Sequence, residues 1–393
     1  MNQNNFYKIC KDHNININIF NTKKTNKLFF NSVTNPQLIK YLIHDIYKDI
    51  VVYTDLKIWF HYDNLWIPSS KIGKHYFFEY LKSLAEKYDK LRKKLTDTEL
   101  DSYCKNVKKI FIKLYTSSNY EKIKRDCQDL FYKPKEDFLD KLDNNIYLIA
   151  FNNGVYDLES KIFRQINIDD YITLTTEYDY NPNPPYVDQV KNVINQMLPN
   201  EKERDYLLKI FACCLSGERF DKMICLISDS KNRRYKGGCG KTTILKFLFD
   251  ALGEYSNGIG GLWESIGNYI IQDGKNKKIH KRYASRVHGR RAVHYGEIFG
   301  QMCSEKRILE LTDEKNLSDP CKFKMFVESN KSIGNNECVV IKFNIEFVED
   351  EVKNQKFEVL CNRQIIKNSK EWRMSFMKIL LDYWELYELE GLE

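Results

Sequence analysis

The sequence predicts an α/β fold, a parallel sheet flanked by helices, preceded by a mainly helical α+β region. Three observations carry this. Met223 to Ser228 is a short continuous apolar run, the texture of a strand buried on both faces. The glycine-rich stretch Gly237-Gly238-Cys239-Gly240-Lys241-Thr242-Thr243 comes shortly after, and a helical run, Ile244 to Leu252, follows. Strand, glycine loop and helix form the first unit of a doubly wound domain. Ala292 to Glu297 and Lys324 to Ser329 then supply further apolar-leaning strands.

Composition excludes several classes. The 393 residues are 42% hydrophobic and 30% charged, enough for a sizeable core and unlike a disordered chain. No apolar run approaches the 18 or more residues that span a bilayer, and the polar start Met1 to Asn5 lacks a signal-peptide core. Neither secretion nor membrane insertion is expected. The net charge, 62 − 54 = +8, is compatible with nucleic acid. Eleven scattered cysteines, without C-x-x-C or zinc spacing, read as reduced thiols.

Along the chain, residues 36–50 read as an amphipathic helix, and 51–67 as a hairpin around Tyr62-Asp63-Asn64. From Lys74 to Tyr132 the period is helical and strongly charged. Phe138 to Leu158 returns to short strands, with a turn at Asn153-Gly154 leading into an edge strand. Asn181-Pro182-Asn183-Pro184-Pro185 forbids regular structure and marks a boundary; Tyr186 to Leu215 is helical again. The expected organisation is an N-terminal extension (1–44), an N-terminal domain (45–180), a phosphate-loop domain (186–350) and a C-terminal helical segment (351–393).

A phosphate loop needs glycines so that backbone N–H groups converge on phosphate oxygens, a Lys for the β- and γ-phosphates, and a hydroxyl for Mg²⁺. Gly240-Lys241-Thr242 supplies the end of that motif, with Gly237, Gly238, Cys239 and Thr243 beside it. The motif's first glycine is replaced by Tyr235. A chance Gly-Lys-Thr in a glycine turn is the alternative, and the flanking strand and helix argue against it. Glu297, closing a strand, is a candidate for the Mg²⁺ shell or the attacking water. Asn330, after the third strand, is a candidate contact for the γ-phosphate. Taken singly, the first is also what a solvated strand-end acid looks like, and the second a turn residue.

The order strand–Gly-Lys-Thr, strand–Glu, strand–Asn resembles the superfamily 3 helicases of viruses and phages. Asn152-Asn153-Gly154-Val155-Tyr156-Asp157-Leu158, Phe163-Arg164 and Asp170-Tyr171-Ile172 resemble the segment that precedes the helicase in poxvirus-type helicase–primases. Trp59 to Trp66 is similar to the family's aromatic hairpin, and Leu142-Asp143-Asn144 fits as well. The resemblance covers roughly residues 45–393. It implies an AAA+-type P-loop NTPase that uses ATP and Mg²⁺ in a homo-hexameric ring on single-stranded or forked DNA, in host cytoplasm or a viral factory. It implies catalytic roles for Lys241, Glu297 and Asn330, and metal contacts from Thr242 and Glu297.

The chain departs from the family pattern at specific places. Cys239 stands where the family has Asn. The stretch around Thr312, where the family carries a DNA-gripping basic hairpin, is short and keeps only Lys322 and Lys324 near its end. Asn336 to Phe343 lacks the family's Arg pair, so Arg363 or the strip Arg286 to Arg291 takes over, an intact helicase subunit completes the site, or, as favoured here, the homomer is a slow ATPase; a separate primase is a further expected partner. No primase catalytic domain is expected before residue 45, and the C-terminal helical segment is expected to be truncated relative to the family's usual C-terminal extension. Lys275 to Arg291 is basic throughout; its Lys277, Lys278, Lys281 and Arg282 are candidate DNA contacts, with a solvated loop as the alternative. The leading function is an ATP-dependent helicase or translocase of viral genome replication. The competing readings are a nucleotide- and DNA-binding ring subunit with impaired turnover and a small-molecule kinase.

Overall fold

The computed structural model describes residues 39–70, 72–79, 82, 86, 117–218, 220, 222–228, 238–258, 289–297, 324–329, 338–348, 352, 358–360 and 369–392. Two compact units divide between Leu142 and Asp143. The sequence places a boundary at the prolines of 181–185, whereas residues 143–180 fall in the same unit as the parallel sheet.

In the first unit, helix α1 (Ile39–Tyr47) precedes an antiparallel meander of β1 (Val51–Tyr53), β2 (Trp59–Asp63) and β3 (Leu65–Pro68). The expected hairpin is β2–β3; β1 is an added strand of three residues, too short for an alternation to show. Asn64, at φ +59°, closes the tight turn, a conformation Asn tolerates better than most residues. Successive side chains of central β2 point to opposite faces, and both faces are covered. Trp59 meets Phe77 of a π-helical turn (Gly73–Phe78) and Phe131 of α2 (Ser117–Phe131), edge to face at 5.8 and 5.7 Å. Phe60 meets Phe138 at 5.2 Å.

The second unit opens with an antiparallel meander, β4 (Leu148–Phe151), β5 (Gly154–Asp157) and β6 (Ile162–Arg164). β5 is therefore central, and the expected edge strand is corrected. β6 returns along its free side, and the turn beyond is held by Arg164, which donates to both Asp170 carboxylate oxygens at 2.7 and 2.8 Å. Gly154 is demanded by close approach: a Cβ would lie 2.5 Å from the Arg164 carbonyl oxygen and 2.6 Å from the Phe163 ring.

Helices α3 (Val187–Met197) and α4 (Glu201–Cys213) follow where the helical period predicts them. Then comes a four-stranded all-parallel sheet of β7 (Met223–Ser228), β8 (Ala292–Glu297), β9 (Lys324–Ser329) and β10 (Cys338–Phe343), in the order β10-β7-β9-β8. The fold is thus mixed α/β. All six residues of β7 are buried, as its unbroken apolar run requires. Phe326 of β9 packs against Phe211 of α4 and Phe249 of α5 (Lys241–Leu252) at 5.6 and 6.1 Å. Helix α6 (Ser369–Glu390) closes over α4 and α5, with Phe376 meeting Phe211 and Phe247 at 6.3 and 5.9 Å. A parallel pair, β11 (Glu346–Val348) and β12 (Glu358–Leu360), completes the described strands.

Polar side chains fasten the meander to the α5 layer. The Tyr178 hydroxyl donates to the Ala251 carbonyl near the end of α5 at 2.6 Å. The Tyr255 hydroxyl accepts from the Ala150 N–H and donates to the Leu174 carbonyl, both at 3.0 Å. Among the described residues no helix is long and apolar enough to cross a membrane.

Candidate functional site

A parallel sheet brings the carboxyl ends of its strands to one edge, where the connecting loops converge. β7 ends there at Ser228, and the chain enters α5 through Gly238-Cys239-Gly240. Gly240 adopts φ +87°, which a Cβ disfavours, and a Cβ there would lie 3.0 Å from Met197 of α3 and 3.3 Å from the Phe347 ring of β11. The Gly238 carbonyl accepts from the Phe347 N–H at 2.9 Å, so β11 walls the loop. Gly240 offers α5 no side-chain cap, and the first N–H groups of a helix have no intrahelical acceptor.

Lys241 is the first residue of α5 and only 5% exposed. Its ammonium donates to Ser228 Oγ at 3.0 Å and approaches Cys239 Sγ at 3.5 Å, which places the charge at the carboxyl end of β7. Thr242 is exposed, and its hydroxyl donates to Glu328 Oε2 at 2.7 Å. Glu328 is buried near the end of β9. Its other oxygen lies 3.4 Å from Nε2 of buried His294 on β8, an electrostatic approach longer than a good hydrogen bond. The His294 backbone N–H donates to Asn257 Oδ1 at 2.9 Å.

Glu297 is the last residue of β8. A register shift between His294 and Gly296 brings it opposite Glu328, so both acids occupy one register position at the carboxyl edge. Thr243 is half-buried in the first turn of α5. Tyr235, Gly237, Lys277, Lys278, Lys281, Arg282, Lys322, Asn330 and Arg363 lie outside the described residues.

Two sequence readings are corrected. Lys324, read as a nucleic-acid contact, is 1% exposed, and its ammonium donates to the Ser216 carbonyl at 2.7 Å. Arg291, the last residue of the strip read as a DNA contact or stand-in finger, is buried. Its guanidinium donates to the Leu215 and Leu148 carbonyls and stacks on the Tyr255 ring at 4.4 Å. Both cations lie at the amino edge of the sheet, beyond the carboxyl end of α4. Carbonyls there carry partial negative charge, and cations are stabilised.

Glu328 is what sequence reasoning underweighted. Its signal was an acid inside the apolar run Met325-Phe326-Val327-Glu328, a position that a carboxylate occupies only when partnered.

The chain is thus a mixed α/β protein with a lysine, a hydroxyl and a buried carboxylate gathered where its parallel strands end. Residues 40–224 match the family model described as "D5 N terminal like". Over 152 residues the chain is 32% identical to a protein of Acanthamoeba polyphaga mimivirus named "Putative helicase", covering 38% of this chain and 15% of that one. Over 123 residues it is 32% identical to a protein of Invertebrate iridescent virus 3 with the same designation, covering 30% and 13%. Over 317 residues it is 22% identical to primase D5 of fowlpox virus, covering 68% and 38%. Residues 40–224 thus form a D5 N-terminal-like segment, and the chain is related in sequence to helicase and primase proteins of large DNA viruses. The matched segments span 13–38% of the length of these three relatives. The family-model match ends at Ile224, before the glycine loop.

Proposed function

We propose that the chain is an AAA+-type P-loop ATPase acting as a DNA helicase or translocase in viral genome replication. The observation that carries this is the juxtaposition at the sheet's carboxyl edge: the Lys241 ammonium at the end of β7, and the Thr242 hydroxyl on the Glu328 carboxylate. This donor set fits a magnesium–triphosphate. Left-handed Gly238 and Gly240 free backbone N–H groups for phosphate oxygens, Lys241 supplies charge, and Thr242 with an acid supplies oxygen ligands for a hard cation. The bound ion would polarise the γ-phosphate, with Glu297 at the end of β8 orienting the attacking water. A homo-hexameric ring, single-stranded or forked DNA, and a separate primase or an intact helicase subunit complete the reading.

The deciding experiment is ATP hydrolysis by the purified chain, with and without single-stranded DNA, beside Lys241→Ala and Glu297→Gln. We expect Lys241→Ala to weaken nucleotide binding and Glu297→Gln to bind without turnover; nucleotide affinity indifferent to Lys241→Ala overturns the site. A second reading, a ring subunit that binds nucleotide but turns it over slowly, is favoured by the missing Arg pair before β10 and by the interior position of Arg291. Fast hydrolysis that rises with protein concentration rejects it.

A further inference from the structure

We propose that Glu328 is a carboxylate of the divalent-cation site and works with Thr242, an assignment that rests on the nucleotide-binding reading above. The acid expected from the sequence is Glu297, which ends β8. The described hydroxyl–carboxylate contact is made instead by the neighbouring strand: Thr242 Oγ1 donates to Glu328 Oε2 at 2.7 Å. Thr242 is exposed while Glu328 is 6% exposed, so the pair joins a solvent-facing hydroxyl to an interior charge. A buried carboxylate is retained where it is partnered or holds a metal. Glu328 has the hydroxyl on one oxygen and His294 3.4 Å from the other. Asn257 in turn holds the His294 backbone. This chain of contacts fixes the carboxylate as outer-shell partners fix a metal-binding acid.

The register strengthens the case. Glu297 and Glu328 are direct partners across β8 and β9, at the edge where Lys241 and Thr242 stand. Glu328, with the Thr242 hydroxyl on one oxygen, offers a hard divalent cation oxygen ligands beside the phosphates, and the register puts a second acidic residue on the neighbouring strand. In this arrangement the Thr242 hydroxyl turns from Glu328 to the ion when the magnesium nucleotide enters. Glu328 then holds the ion directly or through a bound water. A purely structural alternative is that Glu328 only pins the start of α5 to the sheet.

The two are separated by the magnesium dependence of binding, read without turnover. A fluorescent ATP analogue is titrated into the full chain in EDTA and then across a Mg²⁺ series. Glu328→Gln keeps an acceptor for Thr242 but loses the charge. It should bind the analogue in EDTA no more weakly than the natural chain, because a negative charge beside the phosphates is gone, and need about 10–100-fold more Mg²⁺ for its enhancement. If the Gln variant does not fold, Glu328→Asp carries the test, since it keeps the charge one methylene back and should also need more Mg²⁺. A Mg²⁺ requirement unchanged in the folded variant overturns the assignment and leaves Glu328 as a pin. A raised requirement in Glu297→Gln alone returns the site to β8. No analogue binding by the natural chain in either condition rejects the nucleotide reading itself, and this assignment with it.

Discussion

Lys241 and Lys324 stand at opposite edges of one parallel sheet, both almost wholly buried, and their partners differ in kind. At the carboxyl edge, Lys241 reaches a serine hydroxyl, a neutral group that rotates and can exchange its partner for a phosphate. At the amino edge, Lys324 and Arg291 reach backbone carbonyls just beyond α4, acceptors that rotate with nothing and carry the helix's negative end. A buried cation is therefore not by itself a functional signal. A fixed acceptor makes it an anchor, and an exchangeable one leaves it available to a ligand.

The comparison breaks most visibly at Arg291. Arg291→Ala removes two charge-assisted bonds and leaves the Leu148 and Leu215 carbonyls facing its cavity. At about 1.5–3 kcal/mol for each bond to a charged group, a loss of about 3–6 kcal/mol is expected in urea unfolding. A midpoint near that of the natural chain would make the amino edge no anchor at all.

Lys241→Ala should do the reverse. It should weaken ATP by about 1.5–3 kcal/mol, roughly 10- to 150-fold in Kd, with little change in unfolding midpoint. Equal losses in binding and stability would erase the distinction between the edges.

Lys324→Met sharpens it. The variant should lose about 1–3 kcal/mol of stability, because the Ser216 carbonyl is left without its donor. Its affinity for single-stranded DNA, and the slope of that affinity against salt, should not move. A flatter slope would restore Lys324 as a phosphate contact.

The smallest effect tests the seam between the meander and α5. Tyr178→Phe removes the bond to Ala251 and should cost about 1 kcal/mol. Burial raises the Tyr178 hydroxyl well above the usual tyrosine range. The folded value exceeds the unfolded one, near 10, so its contribution is complete below pH 10 and is lost as pH rises beyond. Stability measured between pH 9 and 11 should fall more steeply for the natural chain than for the Phe variant; parallel curves would show that the hydroxyl titrates freely.

Much of the second unit was legible. β7 begins and ends where its apolar run does, because a strand buried on both faces writes itself as an unbroken run, and β8 and β9 match the shorter apolar-leaning stretches Ala292 to Glu297 and Lys324 to Ser329. The end of the glycine loop was legible as local backbone: Gly238 and Gly240 take positive φ, and Lys241 opens α5 where the strand–loop–helix order puts it. What stayed hidden depends on contacts distant in sequence. Lys324 looks like the remnant of a basic hairpin until the carbonyl of Ser216, 108 residues earlier, appears beside it. Thr242 and Glu328 are 86 residues apart, and no periodicity announces that pairing. The prolines at 181–185 report an irregular backbone correctly, but irregular backbone is not where packing thins. Tyr178 and Ser375 tie both sides of that stretch into one unit, through Ala251 and the Tyr186 N–H.

The Arg291 anchor also sets an order of events during synthesis. Leu148 is made 143 residues before the arginine that satisfies its carbonyl. At about 5–20 residues per second, the meander waits roughly 7–30 s for that donor, and longer for β10 and α6. Once β7 is made, it has no β9 or β10 to pair with for the rest of that interval, and an unpaired apolar strand is a surface for aggregation or chaperone capture. Nascent chains released before residue 291 should therefore be degraded readily by a protease dose that full-length chains survive.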